Sequence, residues 1–460
     1  MKKSFSSSRR DFIKNAGIAG GLLLLPPSVL GRTDEPSANG RLRVAAIGVG
    51  GQGWGDLNRV ASTGADIVAL CDVDSDRLAR AQKDFPKAKT FADYRVLFDK
   101  IAKEIDAVIV STPDHTHFTI AMTAMMHGKH VYLQKPMAHT IDQCFRLAEA
   151  AEKYKVVTQM GNQGHSEDHI RLAKEWYDAG LFGEVSEITT WTNRPGNWWP
   201  QGINSFQSPD APRGKRDADP SKIDWNLWLG PVKGPEKYVP GLAHFNWRGY
   251  YAFGTGAIGD MAVHIFDPAN YILDLGFPTK VEVAIDNGAK PTPVTYPKGS
   301  TITYYYPATD KRGPVKLTWK DGGDHTKPEA PAGIEKLIPD GGSIFHGKDA
   351  TAVIGAWGNS FEVAGGRDRF NELREKAPKR YIERIKGGHY KNWTTAILEG
   401  KQATSHFGYA APFTAAILVG SIAQRLGRTV EWDPKTRQFK GDAEANALIK
   451  AASGREGFLV

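Results

Sequence analysis

Gly48, Gly50 and Gly53 have the spacing of a turn that cradles phosphate. The first glycine permits a tight turn, the second lets the backbone approach a pyrophosphate, and the third lets a helix pack on a strand, so that phosphates sit on free N–H groups at the helix N-terminus. Gln52 lies inside that turn. Nineteen positions after Gly53, Asp72 offers a carboxylate to ribose hydroxyls and repels a 2′-phosphate, which favours NAD, while Arg77 nearby leaves NADP open. Farther along, Lys135 sits after an apolar run and before Pro136, and Asp260 and His264 stand four apart, on one face of a helix. An ammonium, a carboxylate and an imidazole are groups that hold or move protons. By spacing alone, Lys135 reads equally as an exposed lysine, and Asp260 with His264 as a surface or structural pair.

The elements that must position these groups follow from the apolar patterning. Leu42 to Ile47, Asp66 to Cys71, Asp106 to Ser111, Lys129 to Leu133 and Val156 to Gln159 are strand candidates. Helix-compatible stretches such as Asp93 to Lys100, Thr116 to Met126 and Thr140 to Tyr154 lie between them. Such alternation predicts a doubly wound parallel sheet, in which ligands bind beyond the carboxyl ends of the strands. One such end crowds Ser111, Thr112, Pro113, Asp114, His115 and His117 into a loop. Helix capping and a His-x-His metal pair are alternatives there, but no third metal ligand is evident, and contact with the cofactor's ribose and nicotinamide is the preferred reading.

Beyond about Gln163 the strand candidates become longer and more aromatic: Val185 to Thr192, Lys280 to Ile285, Ser300 to Pro307 and Pro314 to Lys320. Several have no helix between them, which argues antiparallel pairing. Ser205 to Pro235 reads as an insertion, Lys320 to Gly347 as loop, and Tyr390 to Arg428 as helix packed under the sheet without chemistry of its own. Gln163, His165, Trp198, Trp247 and Tyr250 are candidate substrate contacts, since aromatic faces suit the flat C–H patches of sugars.

At 460 residues the chain suggests two domains. Half of its net charge of +8 comes from residues 1–31, with Lys2, Lys3, Arg9, Arg10 and Lys14 against Asp11, and no basic stripe is interleaved with aromatics, so nucleic acid is not an expected partner. The two cysteines, Cys71 and Cys144, fall in regular elements and read as buried thiols. Ser8-Arg9-Arg10-Asp11-Phe12 with the uncharged stretch after it resembles a twin-arginine export signal, and its apolar run is too short for a comfortable membrane span. This implies a periplasmic or exported protein that meets the twin-arginine translocation machinery, with residues 1–40 as signal and linker, 41–163 as nucleotide domain and 164–460 as substrate and oligomerisation domain.

The glycine turn, Asp72, Ser111-Thr112-Pro113-Asp114-His115-x-His117 and Lys135-Pro136 together resemble the Gfo/Idh/MocA oxidoreductases, named for glucose-fructose oxidoreductase and inositol dehydrogenase. Where the family motif reads Glu-Lys-Pro, this chain has Gln134. The resemblance implies an α/β architecture, an N-terminal Rossmann domain followed by an α/β domain with a large open, mostly antiparallel sheet. It also implies an active site between the domains and a homo-oligomer, while export into a compartment without free nicotinamide leads us to expect tightly held NAD. Lys135, Asp260 and His264 become a catalytic triad, with His264 as general base. The cofactor set comprises Gly48, Gly50, Gln52, Gly53, Asp72, Ser111, Thr112, Pro113, His115, His117, Gln134 and Lys135. The implied reaction is hydride transfer between nicotinamide and a sugar, glycoside or polyol. NAD-dependent glycoside hydrolysis through transient oxidation is the alternative, and a non-catalytic sugar-binding protein the third reading.

Overall fold

The computed structural model describes residues 40–206, 217–337, 340–450 and 454–458. The export-signal motif lies outside these residues. Arg43–Ile47 (β1), Asp66–Cys71 (β2), Lys89–Phe91 (β3), Ala107–Val110 (β4), His130–Leu133 (β5) and Thr158–Met160 (β6) form a parallel sheet in the order β3-β2-β1-β4-β5-β6. Gln52–Ser62 (α1), Ser75–Asp84 (α2), Tyr94–Ile101 (α3), Asp114–Met126 (α4) and Ile141–Lys153 (α5) make the crossovers. The β4 residues are wholly buried, as a sheet covered on both faces requires. Asp74, Asp93 and Thr140 cap α2, α3 and α5 through their side chains, so each helix starts where a short polar residue meets its free N–H groups. The strand order reverses between β1 and β4, which opens a crevice at their carboxyl ends. Three-residue β3 lies at the sheet edge without an apolar run, and the sequence pattern passes over it.

After Asp168–Asp178 (α6), the chain enters a second sheet at Val185–Thr192 (β7), then passes Trp225–Leu229 (α7), Gly256–Ile265 (α8) and Asp267–Leu273 (α9). Lys280–Ile285 (β8), Ser300–Tyr306 (β9), Val315–Asp321 (β10), Gly341–Gly347 (β11), Thr351–Gly355 (β12) and Phe361–Val363 (β13) follow. Past Gly366–Lys376 (α10), Gly388–Glu399 (α11) and Phe407–Leu426 (α12), Val430–Asp433 (β14) and Gln438–Phe439 (β15) complete the order β13-β12-β11-β7-β10-β9-β8-β14-β15. All neighbours are antiparallel except β7 and β10. Burial alternates along β9 and β10, the period-two pattern of a sheet with one face covered.

Two sequence expectations change here. Lys320 to Gly347, read as loop, ends in β11, an interior strand between β7 and β12. Its Gly341-Gly342 pair looks like a turn, but a Cβ on Gly342 would lie 2.8 Å from the Trp191 ring, so glycine is what admits that tryptophan. Tyr390 to Arg428 is also not one unit beneath the sheet. Tyr390, Trp393, Ala396 and Ile397 of α11 are buried in the nucleotide domain's core with Leu57, Val60 and Tyr132. By contrast α12 packs on α5, α8 and β8. This twenty-residue helix is long and apolar enough to cross a membrane, yet most of it is enclosed by protein. Cys71 and Cys144 are buried free thiols.

The described part of the insertion shares a small core with the segment after it, including Ile223 and Trp228 from the first and Leu242, Trp247, Tyr250 and Phe253 from the second. It is fastened to the end of β2: the Ser75 N–H donates to Lys222 O at 2.9 Å, and the Asp224 N–H to Val73 O at 2.8 Å. His244 Nε2 lies 3.1 Å from Asp74 Oδ2. The insertion thus roofs the crevice.

Candidate active site

One cavity of about 740 Å³ runs from the glycine turn, past the ends of β4 and β5, to α8. At its first end Gly48 has φ +81°, and Gly53 supports α1 so closely that a Cβ there would fall 2.0 Å from Gly48 O. Any larger residue at 53 must push the helix off the turn. Gly48, Gly50, Gln52 and Asp72 line the cavity, whereas Gly53 lies behind it as packing. Both carboxylate oxygens of Asp72 accept backbone N–H groups at 2.9 Å, from Val49 and Asp74. These fix its orientation toward the cleft. Arg77 lies over Gly50, where a Cβ would come within 2.6 Å of its Cδ, Nε and Nη1. The turn and the carboxylate fit an NAD ribose and pyrophosphate.

Beneath the turn is a polar hub that the sequence did not disclose. Asp56, wholly buried on α1, accepts from Gln52 Nε2 at 2.8 Å, Ser111 Oγ at 2.7 Å, Gln134 Nε2 at 2.8 Å and Tyr390 OH at 2.7 Å. Burial nonetheless raises its carboxyl above the usual range, although those donors pull it down. The hub ties the ends of β4 and β5 to the glycine helix, and Gln163 joins it through the hydroxyls of Tyr132 and Tyr390, each at 3.2 Å.

At the far end Lys135 Nζ lies 2.7 Å from Asp260 Oδ1 and 2.9 Å from Asp260 O. Burial alone would raise the Asp260 carboxyl, but the Lys135 and Arg248 charges outweigh it and hold it at about 2. His264, one turn along α8, lines the same cavity but has no hydrogen bond to either group, and its ring stands edge-on to Trp357 at 4.8 Å. Burial, with the Lys135 charge second, lowers its pKa to about 3, so the imidazole is neutral at physiological pH. Asp114 accepts from Thr255 Oγ1 at 2.8 Å and is pushed up to about 7 by burial.

Ser111, Thr112, Pro113, Gln134, Lys135, Gln163, Trp198 and Trp247 line the cavity. Besides Gly53, four expected residues do not. His115 and His117 are buried behind the loop, the first with its ring nitrogens on Phe253 O and Trp228 O, the second on Pro136 O and Thr112 O. They brace the loop against the insertion and the Lys135 turn because backbone carbonyls take up both nitrogens of each ring. His165 is buried 2.9 Å from Asp267 and packs on Tyr409. Tyr250 stacks on Phe206 at 5.2 Å in the small core that the insertion shares with the segment after it.

The structure adds Arg194, Arg248, Asp114 and Trp357 to the cavity wall. Arg194 lies just past the end of β7, and applying the strand-end rule to the second sheet would have found it. Nothing in the local sequence signals Trp357.

Residues 42–162 match the family model described as an oxidoreductase family NAD-binding Rossmann fold, and residues 210–309 match that family's C-terminal alpha/beta domain. The chain is 34% identical over 199 residues to a "Glycosyl hydrolase family 109 protein" of Solibacter usitatus (39% of this chain, 44% of that protein). It is 32% identical over 177 residues to a "Glycosyl hydrolase family 109 protein 1" of Bacteroides fragilis (36% and 38%). The chain thus spans less than half the length of these curated relatives. Among solved structures, a levoglucosan dehydrogenase in complex with NADH and levoglucosan superposes with a TM-score of 0.57 at 17% identity, covering 86% of this chain and 100% of that one. The WlbA dehydrogenase from Bordetella pertussis, with NADH and UDP-GlcNAcA, gives 0.58 at 17% identity, covering 85% and 99%. At that identity the likeness is one of fold.

Proposed function

The chain belongs to the Gfo/Idh/MocA oxidoreductase family, and from that premise we propose that it transfers a hydride between NAD and a hydroxyl-bearing carbon of a sugar, glycoside or polyol. The observation that carries this reading is the Lys135–Asp260 pair at 2.7 Å in the cavity that begins at the glycine turn. Bound nicotinamide supplies the hydride acceptor, and the protein's own task is to bind the alcohol and manage its proton. Lys135 donates a hydrogen bond to the substrate oxygen and stabilises negative charge developing there. Asp260 holds the ammonium in place. His264, neutral before substrate arrives, accepts the hydroxyl proton as general base. The carbon is oxidised as its hydride leaves and its hydroxyl proton passes to the imidazole.

A second reading is favoured by the names of the curated relatives: NAD-dependent glycoside hydrolysis, in which oxidation, elimination, hydration and reduction return the cofactor unchanged. The insertion, fastened to β2's end through Lys222 and Asp224 and lining the cavity, supports a retained cofactor. Mass analysis of cofactor released from native protein, followed by a glycoside panel, tests these readings together. A keto-sugar with reduced cofactor is the expected product; free reducing sugar without net reduction indicates the hydrolase, and protein without nucleotide refutes both. The Arg9-Arg10 motif further supports export of a folded, cofactor-loaded protein into the periplasm. Fractionation should find Arg9→Lys/Arg10→Lys protein retained in the cytoplasm; unchanged periplasmic levels would refute export by this route.

A further inference from the structure

Among the described residues, three cations meet at the substrate end of the cavity: Lys135, Arg194 and Arg248. Asp260 is common to them, at 2.7 Å from Lys135 and 3.4 Å from Arg248, with the Arg194 charge acting on it from farther away. Two further carboxylates that act on them answer them poorly. Asp340 stands 3.5 Å from Arg194 but is 41% exposed at the rim, and Asp114, pushed up to about 7, carries only part of a charge at neutral pH. Among the described residues the substrate end therefore holds a surplus of positive charge, and bound oxidised nicotinamide would add to it. A surplus in a partly dry cleft is costly until a ligand neutralises it.

The two guanidiniums are also held in fixed places. Arg194 lies over the Trp198 ring, its Cζ 3.7 Å from the ring centroid, and commits Nη1 to Asn193 Oδ1 at 2.5 Å. Arg248 lies over Phe245 and Trp247, at 4.3 and 4.4 Å, and commits Nη1 to Phe245 O. Nη2 of each guanidinium has no hydrogen-bond partner among the described residues. Stacked, planar forks with donors to spare match a carboxylate, whereas recognition of neutral hydroxyls needs no such accumulation of charge.

We infer that the substrate is a carboxylate-bearing sugar, a uronic acid or its glycoside, whose carboxylate is received by Arg194 and Arg248 beside the Lys135–Asp260 pair. This rests on the oxidoreductase reading above and narrows it. The test uses the cofactor-loaded full chain and two matched pairs, the methyl glycosides of glucose and glucuronic acid and those of galactose and galacturonic acid. Calorimetry reads binding, and absorbance of the bound nicotinamide reads reduction. In at least one pair the uronide should bind on the order of ten- to a hundredfold more tightly, as charge-assisted pairing allows. That preference should shrink with added salt. Arg194→Gln and Arg248→Gln should each bring the ratio within a pair close to one, and Arg194→Lys should keep part of it. Equal binding within both pairs, failure of both uronides to bind, or a ratio unchanged in both glutamine variants would overturn the inference. Uronides that bind without reducing the nicotinamide would refute the oxidoreductase reading and leave the carboxylate site standing; reduction by the neutral sugars alone would do the reverse.

Discussion

At the nucleotide end of the cleft, the lining comes from short, contiguous stretches: the turn from Gly48 to Gln52, and Asp72, pinned by two backbone N–H groups. At the substrate end, Lys135, Arg194, Arg248, Asp260, His264 and Trp357 arrive from five separate places in the chain and act through side chains. The first end is fixed by backbone conformation and tolerates little local change. The second is fixed by how two domains pack, so its chemistry can be altered one residue at a time.

The largest effect expected from this contrast is at Lys135. Lys135→Met removes the ammonium but leaves the glycine turn and Asp72 untouched. Turnover should fall by on the order of 10²- to 10³-fold, the cost of losing one preorganised donor to developing charge. Cofactor measured in the purified variant should stay at the level of the parent. If nucleotide is lost together with turnover, the two ends are not separable and the comparison fails. The acid limb of the pH profile should also distinguish the variant, by moving to higher pH. Without the Lys135 charge, the second-largest cause of the depressed His264 pKa is gone, so that pKa should rise.

The same contrast explains what the sequence revealed. Glycine spacing, Asp72 and the strand ends at Ser111 and Lys135 were legible because each signal is local and each residue type answers a backbone requirement. Asp260 and His264 were legible as a pair on one helix face, but their relation to Lys135 is a tertiary fact supplied by family likeness. His115 and His117 stand off the cavity wall: polar residues in a strand-end loop look available for a ligand, and only the fold shows backbone carbonyls closing over both rings. Tyr390 was passed over because it lies 334 positions from Asp56, the carboxylate it serves. β11 was missed because glycines that admit Trp191 have the composition of a loop.

The smaller effect concerns Gln134, where this chain departs from Glu-Lys-Pro. Its amide donates to Asp56 Oδ2 at 2.8 Å, while its carbonyl accepts the Lys135 N–H at 3.2 Å. A glutamate could still accept from Lys135 N–H but would set a second carboxylate against a buried one. Like charges at that distance cannot both ionise cheaply, so Gln134→Glu should raise the titration of the pair above that of Asp56 alone, already elevated by burial. The folded variant then binds more protons than the unfolded chain between the ordinary carboxyl range and the raised pair. Stability therefore falls as pH rises through that window. Chemical denaturation should show a loss of about 2 kcal/mol at neutral pH, the scale of a buried polar group left without its partner, and a smaller loss in acid. Asp56→Asn in the Gln134→Glu background moves the amide to the other side of the contact and should recover most of the difference. A deficit independent of pH, or no rescue, would mean that Gln134 serves shape alone and that the hub beneath the glycine turn does not depend on a single carboxylate.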